Sequence, residues 1–191
     1  MRVSSTILPG VKILEPAVHR EERGWLAETW SAARYAAAGV ARTFVQDNVS
    51  YSRAGVLRGL HFQEPNAQGK LVSVLEGAIF DVAVDVRPDS PTFGRWVGVA
   101  LSSDDMRQLW VPEGYAHGFL ARAPSVVLYK LTALYEPSSQ MGVCWSDPDI
   151  GIAWPDQAPL VSGKDARAPR LRDIPRELLP TMHGRAAASS A

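Results

Sequence analysis

From Phe44 onward the chain alternates apolar and polar residues with period two, the pattern of strands that bury one face. Between Val72 and Val86 the even positions are Val72, Val74, Ala78, Phe80, Val82, Val84 and Val86, interrupted by Glu76. Ser73, Asp81 and Asp85 fall on odd positions. This reads as a long strand or a hairpin pair with one buried face, turning at Glu76-Gly77. Arg87 to Gly94 is dense in turn formers, and four more strands follow it. They are Trp96–Leu101, Arg107–Val111, Phe119–Ala121 and Val126–Tyr135, with a Pro112-Glu-Gly114 corner among them. Short strands at this spacing predict an antiparallel sandwich or barrel, hence an all-β fold.

The flanks differ. Residues 1–18 read as extended segments broken by Pro9, Gly10 and Pro16. Ser31 to Ala38 carries the one clear helical signal: a Ser N-cap, an alanine-rich run and Gly39 as a stop. After Pro137 the prolines at 148, 155, 159, 169, 175 and 180 mark loops, with room for a short helix after Pro175. A chain of 191 residues suffices for one domain with an ample core, placed here at 1–180, and residues 181–191 are expected as a flexible tail.

Charge and cysteine content narrow the functional classes. Twenty basic and twenty acidic residues cancel, so no basic field points to nucleic acid or a membrane surface. An anionic ligand must be held by local arginines and lysines. The single cysteine, Cys144, excludes an internal disulfide and a Cys-rich zinc site, and fits a reducing cytoplasm. The N-terminus lacks the apolar core of a signal peptide, and no apolar run approaches the ~20 residues that span a bilayer.

Candidate chemistry concentrates in Gly55-Val-Leu-Arg58-Gly59-Leu-His61-Phe-Gln63. Arg suits a phosphate or carboxylate, and His is the usual base near neutral pH. In an extended strand the two would face opposite ways. The glycines beside Arg58 suggest bends that turn both toward one cavity. Taken alone, the nonapeptide also fits a buried strand with a structural Arg and a hydrogen-bonded His.

Pro112-Glu-Gly-Tyr-Ala-His117 has the form P-x-G-x-x-H, which resembles the second half-motif of the cupin barrels. The first half-motif would supply His-x-His, but here it reads His61-Phe62-Gln63. Neutral Gln is a poor ligand for zinc or iron. His61 and His117 fall short of the three protein ligands of a catalytic metal, with Glu64 the one side chain able to fill in. The expectation is therefore a cupin-like double-stranded β-helix, a jelly-roll barrel, without a metal. Lys70 could bind phosphate or polarise a carbonyl oxygen; a solvated strand-end lysine is the alternative. Tyr129 and Tyr135 share strand parity but would stand ~20 Å apart in a straight strand. They reach one substrate only if the chain bends; otherwise each is a barrel-wall aromatic.

Eight motifs in register carry a resemblance: the nonapeptide, Lys70-Leu-Val, Asp81-Val-Ala-Val-Asp85, Ser90-Pro-Thr-Phe-Gly94, Pro112 to Phe119, Leu128-Tyr-Lys130, Trp145-Ser-Asp-Pro148 and Ser162-Gly-Lys-Asp165. Together they resemble the dTDP-4-dehydrorhamnose 3,5-epimerases, dimeric cupin-fold enzymes, over about Arg23 to Asp165. The resemblance implies His61 as base, Asp165 as its orienting partner, Tyr129 as general acid and Lys70 at the C4 oxygen of a dTDP-4-keto-6-deoxyhexose. It implies His117 and Tyr135 in the same pocket, Arg58 and Arg23 on the diphosphate, and Gln46, Asn48 and Glu28 around the nucleotide. It further implies a homodimer and no cofactor, since the keto group is the electron sink. The stretch from His19 to Glu28 keeps the family's Arg23, Gly24 and Glu28, but His19 and Leu26 replace two aromatics and Glu21 an Asp. Related enzymes that act at C3 or C5 alone are the runner-up; a metal-dependent cupin and a non-catalytic sugar-nucleotide-binding barrel rank below.

Overall fold

The period-two region folds as antiparallel strands shared between two sheets. In this computed structural model residues 1–182 are described, and the tail expected over 181–191 lies, from 183 on, outside them. The strands are β1 (Arg2–Ser5), β2 (Lys12–Glu15), β3 (Val18–Glu21), β4 (Gly24–Ala27), β5 (Gln46–Ser52), β6 (Leu57–Gln63) and β7 (Lys70–Glu76). There follow β8 (Ala78–Asp85), β9 (Trp96–Ser102), β10 (Gln108–Val111), β11 (Tyr115–Ala121), β12 (Ser125–Leu131) and β13 (Gln140–Gly142). One sheet has the order β1-β2-β10-β7-β12-β5, the other β13-β6-β11-β8-β9. From β5 to β12 the chain passes back and forth between them, leaving β5-β12-β7-β10 facing β6-β11-β8-β9. That is the jelly-roll double-stranded β-helix expected from the motifs.

Two helical pieces accompany the sheets, α1 (Ala32–Ala37) with Ser31 at its N-cap, and α2 (Gly163–Ala166). The helix expected after Pro175 is a single 3-10 turn, Arg176–Leu178.

Glu76-Gly77 is a corner between the sheets and not a hairpin turn, because β7 pairs with β10 and β12 while β8 pairs with β9 and β11. Gly77 has φ +81, and a Cβ there would lie 2.2 Å from the Pro124 carbonyl oxygen. The corner reverses the parity read from the sequence. Val72 and Val74 of β7 point between the sheets, but in β8 it is the odd residues Ile79 and Ala83 that join them, with Leu109, Phe119 and Val127. The even residues Val82 and Val84 face outward, where Trp154, Leu171 and Ile174 of the proline-rich C-terminal segment cover them. Both faces of β8 are therefore buried, and Asp81 points inward. On the outside of the other sheet, Tyr35 of α1 seals Leu14, Leu71 and Trp110.

At the end of β8, the fully buried Asp85 accepts hydrogen bonds from Arg87 Nε at 2.8 Å and Nη2 at 2.7 Å, and from the Ser90 and Thr92 hydroxyls, both at 2.6 Å. Burial pushes its pKa up, but the bonds from Arg87, Ser90 and Thr92 outweigh burial and hold it below the usual carboxylate range. A depressed folded pKa contributes stability that is present above the unfolded value near ~3.9 and is lost as pH falls through the folded one. Asp85→Ala leaves a buried guanidinium without its partner, so a loss of about 3–5 kcal/mol is expected in urea unfolding at pH 7. The variant should also lose part of the wild-type decline in stability below pH ~4.

Candidate active site

The nonapeptide occupies the inner edge of β6, and a bulge decides where its side chains go. His61 pairs with His117 and Arg58 with Phe119, so three steps along β6 oppose two along β11. The extra residue resets the alternation. Leu57 and Leu60 both enter the core behind the sheet, while Arg58 and His61 line one cavity. Gly59 permits this: its φ is +114, and a Cβ would lie 2.6 Å from Gly118 Cα and 2.7 Å from the His117 carbonyl oxygen.

The cavity holds about 890 Å³ between the two sheets, within the ~300–1,000 Å³ of small-molecule sites. On its β6–β11 wall His61 Nε2 lies 2.7 Å from Asp165 Oδ1. Asp165 is carried by α2, whose N-cap Ser162 accepts a hydrogen bond from the Asp165 N–H at 3.1 Å. Burial opposes the Asp165 carboxylate, but hydrogen bonding and charge attraction from His61, with the Gly59 N–H and Ser162, hold its pKa below the usual range. Beside this pair His117 Nε2 lies 2.7 Å from Asp81 Oδ1, and both side chains are buried. Asp81 Oδ2 has no hydrogen-bond partner among the described residues.

The opposite wall comes from β7, β12 and β5. Lys70, the first residue of β7, reaches across to donate to the His61 carbonyl at 3.2 Å. Burial lowers its pKa to about 8, against the pull of the Asp81 charge in the other direction. Tyr129 of β12 shares a 2.5 Å hydrogen bond with the Ser50 hydroxyl. Its ring meets His117 edge-on, with centroids 6.4 Å apart. Burial raises its pKa to about 12, moderated by Ser50 and the charge of Arg58, so the phenol keeps its proton at neutral pH. Arg58 donates to Ser52 Oγ and the Tyr51 carbonyl, both at 2.9 Å, with further guanidinium donors left for a ligand.

Tyr135 reaches the same cavity because β12 ends at Leu131, four residues before the strand end expected from the sequence. The chain then folds back, and Gln46 Oε1 accepts the Tyr135 N–H at 2.8 Å. Asn48 lines the cavity, while Gln46 stands just outside it, donating to Asn48 Oδ1 at 2.9 Å. Arg23 and Glu28 are not brought there: Arg23 pairs with Glu21 at the β3–β4 turn, and Glu28 with Arg34.

Several contributors are not legible from alternation or motif spacing. Alternation alone puts Asp81 on a polar face, although it is the one charge within the apolar run from Ala78 to Val84, a pattern that marks a paired, inward carboxylate. Ser50 and Lys164 also line the cavity, and Lys164 donates to Gln140 at 2.5 Å. Among the described residues, no group of three or more His, Cys, Asp and Glu is placed to hold a metal ion. His61 and His117 each face their own aspartate and Gln63 is turned toward two loops, so these donors do not fit a metal centre.

A jelly roll with a hydrogen-bonded imidazole on one wall of a cavity and a phenol and an ammonium on the other defines a cupin-type protein equipped for proton transfer on an anionic ligand. Comparison with known proteins narrows the class. Residues 5–173 match the family model of dTDP-4-dehydrorhamnose 3,5-epimerase. The chain is 53% identical over 175 residues to the Salmonella typhimurium dTDP-4-dehydrorhamnose 3,5-epimerase, covering 90% of this chain and 96% of the relative. The crystal structure of the Legionella pneumophila dTDP-6-deoxy-D-glucose-3,5-epimerase in complex with dTDP-4-keto-L-rhamnose is 47% identical, with a TM-score of 0.91 over 94% of this chain and 97% of that one. A 3'-monoepimerase from Streptomyces bikiniensis, in complex with dTDP-quinovose, follows at 35% identity and a TM-score of 0.87, over 93% and 92% of the two chains. The chain belongs to the dTDP-4-dehydrorhamnose 3,5-epimerase family.

Proposed function

We propose that the protein epimerises dTDP-4-dehydro-6-deoxy-D-glucose at C3 and C5, yielding dTDP-4-dehydro-L-rhamnose for deoxysugar biosynthesis in the cytoplasm. The observation that carries this reading is the His61–Asp165 pair facing Lys70 and Tyr129 across one cavity. With Nε2–H directed at Asp165, the lone pair on Nδ1 of His61 is the basic site. The 4-keto group acidifies both neighbouring C–H bonds, because the electron pair left behind delocalises onto O4. His61 takes the proton, the Lys70 ammonium stabilises the enolate oxygen, and Tyr129 delivers its phenolic proton to the opposite face of the same carbon. Solvent restores the phenol and the neutral imidazole before the second carbon reacts. Each positioned acid or base contributes about 10²–10⁴ in rate. Asp165 holds the ring in one tautomer and stabilises the imidazolium.

Arg58 would grip the diphosphate, with Asn48, Gln46, Tyr135 and His117 shaping the rest of the pocket. Arg23 and Glu28 would serve the neighbouring copy's cavity in a homodimer, which accounts for two expected ligand contacts standing away from this chain's own site. A single-carbon epimerase is the second reading, favoured by the likeness to the 3'-monoepimerase. Its 35% identity against 53% and 47% for the dual enzymes ranks it second.

The test is incubation with dTDP-4-keto-6-deoxyglucose in heavy water, followed by NMR. Deuterium at both C3 and C5 is expected. Label at one carbon alone leaves the second reading, and none at either removes the epimerase. Tyr129→Phe should slow completed inversion by about 10²-fold while C–H exchange falls less; equal loss of both would argue against the acid role.

A further inference from the structure

Gln63 occupies the place where a metal-binding barrel would carry its second histidine, and the structure gives it other work. It closes β6 and is 3% exposed. Its Nε2 donates to the Asn66 carbonyl at 2.6 Å and the Leu134 carbonyl at 3.1 Å, and its Oε1 accepts the Glu136 N–H at 2.9 Å. Both amide hydrogens and one acceptor site are thereby used on backbone groups of two separate loops. One loop, 64–69, joins β6 to β7; the other, 132–139, joins β12 to β13. A carboxylate here would face two carbonyl oxygens, and an imidazole offers one donor and one acceptor on a shorter side chain.

These two loops close over one end of the cavity. Gln68 from the first and Tyr135 from the second line it. They are stitched further by Gln68 Nε2 on the Ala133 carbonyl at 2.9 Å and by the Gly69 N–H on Thr132 Oγ1 at 2.8 Å. At the solvent side Asn66 and Ser139 both donate to Glu136, at 2.8 and 2.9 Å. Gln63 is the buried end of this brace, two residues along the strand from His61. It does not line the cavity itself.

We propose that Gln63 is a positioning residue: it sets the height of the 132–139 loop, and so of Tyr135, over the sugar-nucleotide cavity. The proposal rests on the epimerase reading for its substrate. A buried brace of three hydrogen bonds to main chain fixes a loop that has little core of its own.

Two readouts test it. In the ligand-free protein, hydrogen–deuterium exchange over 132–139 is expected to quicken at least about tenfold in Gln63→Met, which keeps the apolar stem and removes all three bonds. That measurement needs no turnover, so it stands apart from the question of whether wild type is an epimerase. In steady-state kinetics with dTDP-4-keto-6-deoxyglucose, the variant should raise KM about tenfold and change kcat less than threefold. In a Tyr135→Ala background the same substitution should change KM less than twofold, because the residue through which it acts is gone. Glu136→Gln, which loosens the exposed end of the brace and leaves the buried amide untouched, should move exchange and KM the same way by smaller factors. It keeps the test open should Gln63→Met fail to fold. Unchanged exchange, an unchanged KM, or full additivity with Tyr135→Ala would each overturn the proposal.

Discussion

His61→Ala is expected to abolish incorporation of solvent deuterium into a dTDP-4-keto-6-deoxy sugar, with a loss of about 10³–10⁴-fold or more. The size follows from the surroundings of the imidazole. The neighbouring His117 directs Nε2 at Asp81 and is 5% exposed, and Lys70 is engaged with the His61 carbonyl. Neither of these two neighbours is oriented to take over the proton. The side chain of His61 is 25% exposed, but its removal strips the 6% exposed Asp165 carboxylate of its partner, so a stability loss of about 1–3 kcal/mol is expected. Thermal unfolding beside the NMR exchange assay separates loss of the base from loss of the fold. Asp165→Asn is the graded companion: it keeps the shape but weakens the hold on the tautomer, so exchange should slow and still be measurable. Undiminished exchange in His61→Ala would remove it as the base.

Gly59→Ala should be as damaging by a different route. The methyl group would meet backbone atoms at 2.6 and 2.7 Å, at a φ of +114, and neither neighbour is a flexible side chain that could turn aside. Relief requires β6 to part from β11 or the bulge to dissolve. Dissolving it would send either Arg58 or His61 to the wrong face of the sheet. The expected outcome is a stability loss of about 2–4 kcal/mol in urea unfolding, together with near-complete loss of exchange in whatever folded protein remains. A variant with wild-type stability and activity would show that the bulge does not position the pair.

The strands, the helix at Ser31 and the polar motifs were legible because each is a local pattern. Alternation marks a half-buried strand, and a capped alanine run marks a helix. What stayed hidden was set by contacts between distant segments. The parity of β8 depends on a corner at Gly77 fitted against Pro124, and without that corner Asp81 is assigned to the wrong face. Tyr135 joins Tyr129 only because the chain breaks after Leu131, where the Thr132 hydroxyl donates to Glu113 at 2.8 Å and accepts from the Gly69 N–H. Apolar alternation continues past that point and carries no sign of the break. The pairing of His61 with Asp165 spans more than a hundred residues; no spacing rule suggests it, and only the family resemblance did. Arg23 and Glu28 came from the same source, and a single copy of the chain leaves them beside their own hairpin.

The two walls of the cavity belong to different sheets, and this has a stereochemical consequence. The imidazoles of His61 and His117 stand on one sheet, the Tyr129 phenol and Lys70 on the other. Face-to-face sheets keep about 10 Å between their backbones, so the open part of the cavity between them is a slot with a different sheet on each side. On the proposed roles, a flat ring in that slot has one face toward the proton acceptor and the other toward the proton donor. Handedness would then be exchanged by the architecture itself, because acceptor and donor are carried by different sheets.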